Sequence, residues 1–181
     1  LKQLLLKYSV NEAPALDSRR MHAVTASDIA SICGENPYET PDSVMIKKMF
    51  HISIASNPAL AHGKKYEPVA LAAMKKVSVD GSKVKNVHYI NYVTHPNYEW
   101  IGGTLDSLIE LEDGRVFVGE VKCPLKRRIE ENAMPAYYMS QIQTYMFLTG
   151  FHACLFIQYK PATKRLPEKL TILMVKQDIN Y

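Results

Sequence analysis

Two carboxylates and an ammonium, Asp106, Glu120 and Lys122, stand among apolar residues and glycines in the stretch 100–124. Facing carboxylates repel and are costly to bury without a partner, so bringing them together asks for a cation. Hard oxygen donors with few neighbours suit Mg²⁺, with Mn²⁺ as a substitute; both retain water and leave positions open for a substrate phosphate. A lysine beside such a metal can orient the attacking water and help deprotonate it, which is metal-assisted phosphodiester hydrolysis. Alone, Glu120-Val121-Lys122 is weak evidence, because acid-x-lysine triplets recur by chance in a chain of this size.

The elements around these residues strengthen the reading. Apolar runs over 105–111 and 116–121 flank Asp113-Gly114, a strong hairpin signal. With a three-residue loop, Glu112-Asp113-Gly114, and Gly114 in the left-handed region, Leu111 pairs with Arg115 and Asp106 falls opposite Glu120. Alternation then puts Lys122 on the same face. A two-residue loop would shift the register by one and turn Asp106 away, so the constellation requires the bulged turn. Ile109, Phe117, Val116, Val118 and Val121 leave both faces of the ribbon apolar, as in central strands covered by helices.

Elsewhere the chain supplies possible supporting groups. Residues 1–15 read as a short helix ending in a loop at 11–14. Arg19-Arg20 precede a helix starting near Ser27, with Thr25 and Asp28 at capping-box spacing; an ordinary cap is the commoner outcome and an anion pocket the rarer one. Residues 43–50 predict a short helix and 58–77 a long one, whose apolar stripe is Tyr66, Val69, Ala70, Ala73, Met74 and Val77. Glu67 borders that stripe; Leu71 four residues on offers it no ion-pair partner, and a solvated acid is its ordinary alternative. Valine and tyrosine mark a strand over 83–94, followed by another at 100–103. Gly102-Gly103 permits close backbone approach, and Thr104 is placed to contact a phosphate. Lys126-Arg127-Arg128 is the densest basic cluster, either a solvated loop or a rail for a nucleic-acid backbone. A helix over 135–148 carries Tyr138, Ile142, Tyr145 and Met146 on one stripe, with Gln141 and Gln143 as amides near it. Strands at 152–159 and 170–175 follow. This order predicts an α/β fold with a mixed central β-sheet flanked by α-helices.

The chain has 181 residues, 47% of them apolar, which suits a single globular domain over 1–181. A formal charge of +4 is compatible with a polyanionic partner. Cys33, Cys123 and Cys154 lack C-x-x-C spacing and are odd in number; they read as reduced thiols of an intracellular protein, in the cytoplasm or, for a viral product, the host nucleus. They also exclude a four-cysteine iron–sulfur cluster. No apolar run reaches membrane-spanning length. The first residue is leucine, so further residues are expected beyond the ends.

Gly103-Thr104-Leu105-Asp106 and Glu120-Val121-Lys122-Cys123-Pro124 resemble the active-site strands of the PD-(D/E)xK nuclease superfamily, specifically its lambda-exonuclease-like (YqaJ viral recombinase) family. Val24-Thr25-Ala26-Ser27, Gly63-Lys64-Lys65-Tyr66-Glu67 and Tyr138-Met139-Ser140-Gln141-Ile142-Gln143 agree in order and spacing, so the resemblance spans 16–175. It implies a restriction-endonuclease-like core and a Mg²⁺-dependent DNA exonuclease, 5′ to 3′ on linear duplex, in phage- or viral-type recombination or replication. It assigns metal ligation to Glu67, Asp106, Glu120 and the Val121 carbonyl, water positioning to Lys122, and a place beside the active site to Gln141. Arg20, Ser27 and Thr104 are expected to grip the 5′-phosphate, and Lys126, Arg127 and Arg128 to line the DNA track. The resemblance further implies a homo-oligomeric ring of three around DNA and a single-strand annealing protein as partner. Two departures stand out: the family's upstream aromatic is missing from Leu16-Asp17-Ser18-Arg19, leaving Arg19 as an alternative to Arg20, and Leu105 replaces a usual proline. An endonuclease or RNase of the same superfamily, or a non-catalytic nucleic-acid-binding module, are the alternatives.

Overall fold

The computed structural model describes residues 19–52 and 57–181, so the helix expected over 1–15 lies outside the described residues. Residues 19–22 are helical, and nine strands and four further α-helices follow in chain order among the described residues. They are β1 (Val24–Thr25), α1 (Ala26–Ile32), α2 (Pro41–Met49), α3 (Pro58–Met74), β2 (Ser78–Val79), β3 (Ser82–His88), β4 (Tyr92–His95) and β5 (Tyr98–Thr104). Then come β6 (Ser107–Leu111), β7 (Val116–Lys122), a 3-10 turn (Ala136–Tyr138), α4 (Met139–Thr149), β8 (Ala153–Lys160) and β9 (Lys169–Lys176).

The main sheet has six strands in the order β2-β3-β6-β7-β8-β9, with β7 and β8 parallel and the other pairs antiparallel. A second sheet of three strands, β1-β5-β4, lies beside it. The predicted strand over 83–94 is therefore two strands. β3 pairs with β6 in the main sheet, the chain crosses at Tyr89–Asn91, and β4 pairs with β5 in the small one. Strand-forming composition is the same on both sides of the crossing, so only tertiary pairing marks the break.

The hairpin has the bulged register. Ser107 pairs with Gly119 and Ile109 with Phe117, while the Leu111 N–H donates to Arg115 O at 2.9 Å and Gly114 has φ +87°. Gly119 is required here, because a Cβ would lie 2.3 Å from Ser107 Oγ.

Alternation sends the two faces of the main sheet into two cores. Leu108, Val118, Cys154 and Phe156 face α4 through Ile142, Tyr145 and Met146. Ile109, Leu111, Phe117, Val121, Leu155 and Ile157 face α3 through Ala70, Leu71 and Met74. Helices on both faces explain why β7 and β8 are almost continuously apolar. The stripe expected on α3 needs one correction: Val69 is exposed and Leu71 takes its place in the core. The face that α3 buries is set by the sheet beneath it, and Pro68 inside the helix leaves the Lys64 carbonyl without its usual donor. The start of α3 is fixed by Pro58 and by the Asn57 side chain, which accepts the Leu60 N–H at 2.9 Å. Gly150, at φ +74°, ends α4 with its N–H on Met146 O at 2.9 Å.

Candidate active site

The C-terminal end of β7 opens into a cleft of about 1030 Å³. Four supports meet there. β6 and β7 bring Asp106, at the foot of β6, and Glu120 and Lys122 to the face that packs on α4, as the register requires. α3 brings Glu67 from the opposite side of the sheet, and α4 brings Gln141 and Tyr145. The segment before α1 brings Arg20, and α1 itself brings Ser27.

The acidic centre is held tightly. The Val121 N–H donates to Asp106 Oδ2 at 2.7 Å, and the Lys122 ammonium pairs with Glu120 Oε1. Glu120 is 1% exposed, and its Oε2 has no hydrogen-bond partner among the described residues. Burial and the Asp106 charge push the Glu120 carboxyl up, against the pull of Lys122. Glu67 is pushed up to about 7, first by burial and then by Asp106. Asp106 is itself raised by burial, which outweighs Lys122 and the Val121 N–H. Burial works against the Lys122 ammonium, but Glu120 and Asp106 overcome it and hold the group charged.

Three mutually repelling carboxylates, one with an orphaned buried oxygen, form a donor set deficient in positive charge by more than one lysine supplies. A hard divalent cation fits it, with Glu67, Asp106, Glu120 and the Val121 carbonyl as oxygen donors. Among the described residues, no three His, Cys, Asp or Glu side chains already stand at ligand spacing, so the fit rests on the chemistry of the donors.

The basic groups divide. Arg20 lines the cleft and donates from Nη1 to Thr104 Oγ1 at 3.3 Å, while the Arg19 guanidinium lies 5.9 Å over the Tyr92 ring. Of the two arginines, Arg20 is therefore the one in the wall with Ser27 and Thr104. Thr25 caps α1 as the sequence predicts, its N–H donating to the Asp28 carboxylate at 2.8 Å. Lys126 and Arg127 line the cleft; Arg128 is exposed and lies outside its wall, which separates it from the expected track. Arg127 donates to Gln158 Oε1 at 2.8 Å, yet its Nη2 is buried with no partner among the described residues. Arg127 is thereby fixed at the wall with one donor group unanswered among the described residues.

The two amides also divide. Gln141 lines the cleft and donates to Tyr145 Oη at 2.9 Å, and Tyr145 donates to Thr104 O at 2.8 Å. Gln143 instead ties down the chain after β9, through Lys176 O at 3.0 Å and the Asp178 N–H at 2.9 Å. Tyr145 was legible only as a core residue. Tyr38, Lys64 and Tyr137 also line the wall; nothing in periodicity singles them out.

Residues 17–152 match the model of the YqaJ-like viral recombinase domain. A mimivirus protein, "Uncharacterized protein R354" of Acanthamoeba polyphaga mimivirus, is 25% identical over 160 residues, covering 78% of this chain and 28% of that one. The chain thus spans little more than a quarter of that relative's length. Among solved structures, an alkaline exonuclease from Laribacter hongkongensis is similar with TM-score 0.70 and 22% identity, over 92% of this chain and 83% of that one. The same exonuclease in complex with dAMP is similar with TM-score 0.65 and 23% identity, over 90% and 81%. The nuclease fold expected from the sequence is the fold observed.

Proposed function

From the premise that the chain belongs to the YqaJ-like viral recombinase family, we propose that it is a divalent-metal-dependent deoxyribonuclease, an exonuclease acting 5′ to 3′ on linear double-stranded DNA. The observation that carries this reading is the convergence of Glu67, Asp106, Glu120 and Lys122 on one cleft, with a buried carboxylate oxygen that has no partner among the described residues. The dAMP complex of the Laribacter exonuclease supports a nucleic-acid substrate.

Glu67, Asp106, Glu120 and the Val121 carbonyl would hold Mg²⁺, or Mn²⁺ in its place; the ion, when bound, supplies charge neutralisation at the phosphate and acidifies coordinated water. The Val121 N–H fixes the rotamer of Asp106. Lys122, kept as an ammonium between Glu120 and the Tyr138 ring, orients water and offers positive charge to the reacting phosphate. That contact suits the water-positioning role expected of it. Arg20, Ser27 and Thr104 receive the terminal 5′-phosphate at the far wall, and Lys126 and Arg127 follow the backbone away from it. Gln141 acts through Tyr145 to set the Thr104 backbone. A ring of three subunits and a single-strand annealing partner belong to the same proposal; light scattering of the purified protein tests the first and co-purification the second.

The deciding experiment incubates the protein with Mg²⁺ and linear duplex DNA bearing a 5′-phosphate or a 5′-hydroxyl, beside closed circular DNA. Progressive loss of the phosphorylated linear strand alone is expected. Cutting of the circle would replace the exonuclease reading with an endonuclease, and binding without cutting in either metal would leave a non-catalytic module.

A further inference from the structure

Three tyrosine rings climb from the floor of the cleft to its rim. Tyr138 rests on Phe156 with ring centroids 5.4 Å apart, and the Lys122 Nζ lies 4.8 Å from its centroid. Tyr137 follows at 4.4 Å from Tyr138, and Tyr38 meets Tyr137 edge-on at 5.7 Å and 88°. Tyr38 is 80% exposed. The aromatic surface is therefore continuous from the lysine beside the carboxylates out to water.

Tyr38 is held in that position. Its N–H donates to Asn36 Oδ1 at 3.0 Å, the Asn36 amide donates to Ser31 Oγ at 2.8 Å, and Ser31 donates to Glu39 at 2.9 Å. Glu39 in turn pairs with Lys47. A large ring left in water on a loop tied on both sides of it contributes little to the core. What it offers is a flat, pre-positioned face. Lys64, Lys126 and Arg127 line the same cleft. Rings and cations lining one cleft suit a single nucleic-acid strand, with bases stacked on the rings and phosphates neutralised by the cations. An apolar protein patch would leave those cations unanswered.

We propose that Tyr38 and Tyr137 form a stacking subsite for an unpaired base of the strand that enters the site. This deepens the nuclease reading and rests on it. Stacking is tolerant of sequence, because every base has a π-face, so the subsite selects strand state and not base identity.

The test is equilibrium binding of a fluorescent single-stranded oligonucleotide, with Ca²⁺ replacing Mg²⁺, to the full chain and to Y38A, Y38F, Y38W and Y137A. Thermal melts confirm that each variant is folded. A matched oligonucleotide made of abasic sugar-phosphate units removes the bases and keeps the charge. Y38A and Y137A are expected to weaken binding of the ordinary strand about tenfold, while Y38F and Y38W retain it. The abasic strand should bind wild type and Y38A equally. Equal losses on both strands, a Y38F defect as large as that of Y38A, or unchanged binding by Y38A would each overturn the subsite. If wild type cleaves linear DNA while Y38A binds like wild type, only the subsite falls; if wild type neither binds nor cleaves, the nuclease reading falls with it.

Discussion

Stripped of divalent metal, this protein should lose stability as pH rises, the reverse of what most acidic clusters do. Burial and Asp106 raise the Glu67 carboxyl from 4.5 to about 7. Between those values the folded chain keeps a proton that the unfolded chain has released. The contribution is present in full below pH 4.5 and is lost as pH climbs through 7. For Glu67 alone the interval corresponds to at most roughly 3 kcal/mol, and to about 1–3 kcal/mol once solvent screening of a partly exposed group is allowed for. At about 2–4 °C per kcal/mol for a chain of this size, the midpoint should fall by roughly 2–12 °C. The assay is thermal unfolding in EDTA from pH 5 to 8.5, with E67Q in parallel, since glutamine does not titrate. The stability of wild type relative to E67Q should fall as pH rises through 7. Mg²⁺ at about a hundred times its dissociation constant should return about 2.7 kcal/mol to the wild type at pH 8. Parallel curves for wild type and E67Q would refute the crowding of carboxylates; identical melts in EDTA and Mg²⁺ at pH 8 would refute the cation site.

Replacing Lys122 with alanine should cut DNA hydrolysis to roughly a hundredth or less while leaving strand binding in place, and cleavage near the wild-type rate would remove Lys122 from the site. Gly119→Ala forces a Cβ to within 2.9 Å of Ile109 Cδ1 as well as onto Ser107 Oγ, so urea unfolding should show a loss of about 1–3 kcal/mol. A thiol reagent should label Cys33 quickly, and Cys123 and Cys154 only on denaturation, because the latter two are buried and burial lifts the Cys123 thiol to about 12; three fast thiols would contradict the packing of β7 on β8. Raising salt should weaken DNA binding steeply, and R127A should flatten the dependence of log K on log salt by about one ion, a flat wild-type response counting against the basic wall.

The hairpin was legible because its turn is local: Asp113-Gly114 supplies the left-handed residue, and that residue count puts Asp106 opposite Glu120. Helix periodicity left Gln141 and Gln143 together; only the motif resemblance selected Gln141, which lines the cleft while Gln143 binds the chain at the end of β9. The division of 83–94 between two sheets was not legible, because valine and tyrosine suit either sheet and the crossing at Tyr89–Asn91 is set by which strands pair on each side of it. The stripe read on α3 took in Val69 and left out Leu71 for a related reason: a helix laid on the face of a sheet buries the side the sheet offers. The tyrosine rim was invisible in the pattern, because Tyr38 and Tyr137 come from loops far apart in the chain and meet only after α1 and α4 have packed.

Glu67 arrives from one face of the main sheet, while Asp106, Glu120 and Gln141 belong to the other. The cleft is thus assembled across a layer boundary, and no single layer contains it. A brief detachment of α3 would separate Glu67 from the other proposed donors while leaving the sheet and α4 intact. Heat inactivation should accordingly precede the loss of sheet structure, and amide protons of α3 should exchange with solvent by local opening, before those of β7 and β8. A cation bound to carboxylates from both layers would act as a clasp, slowing that exchange in one helix far more than anywhere else in the protein.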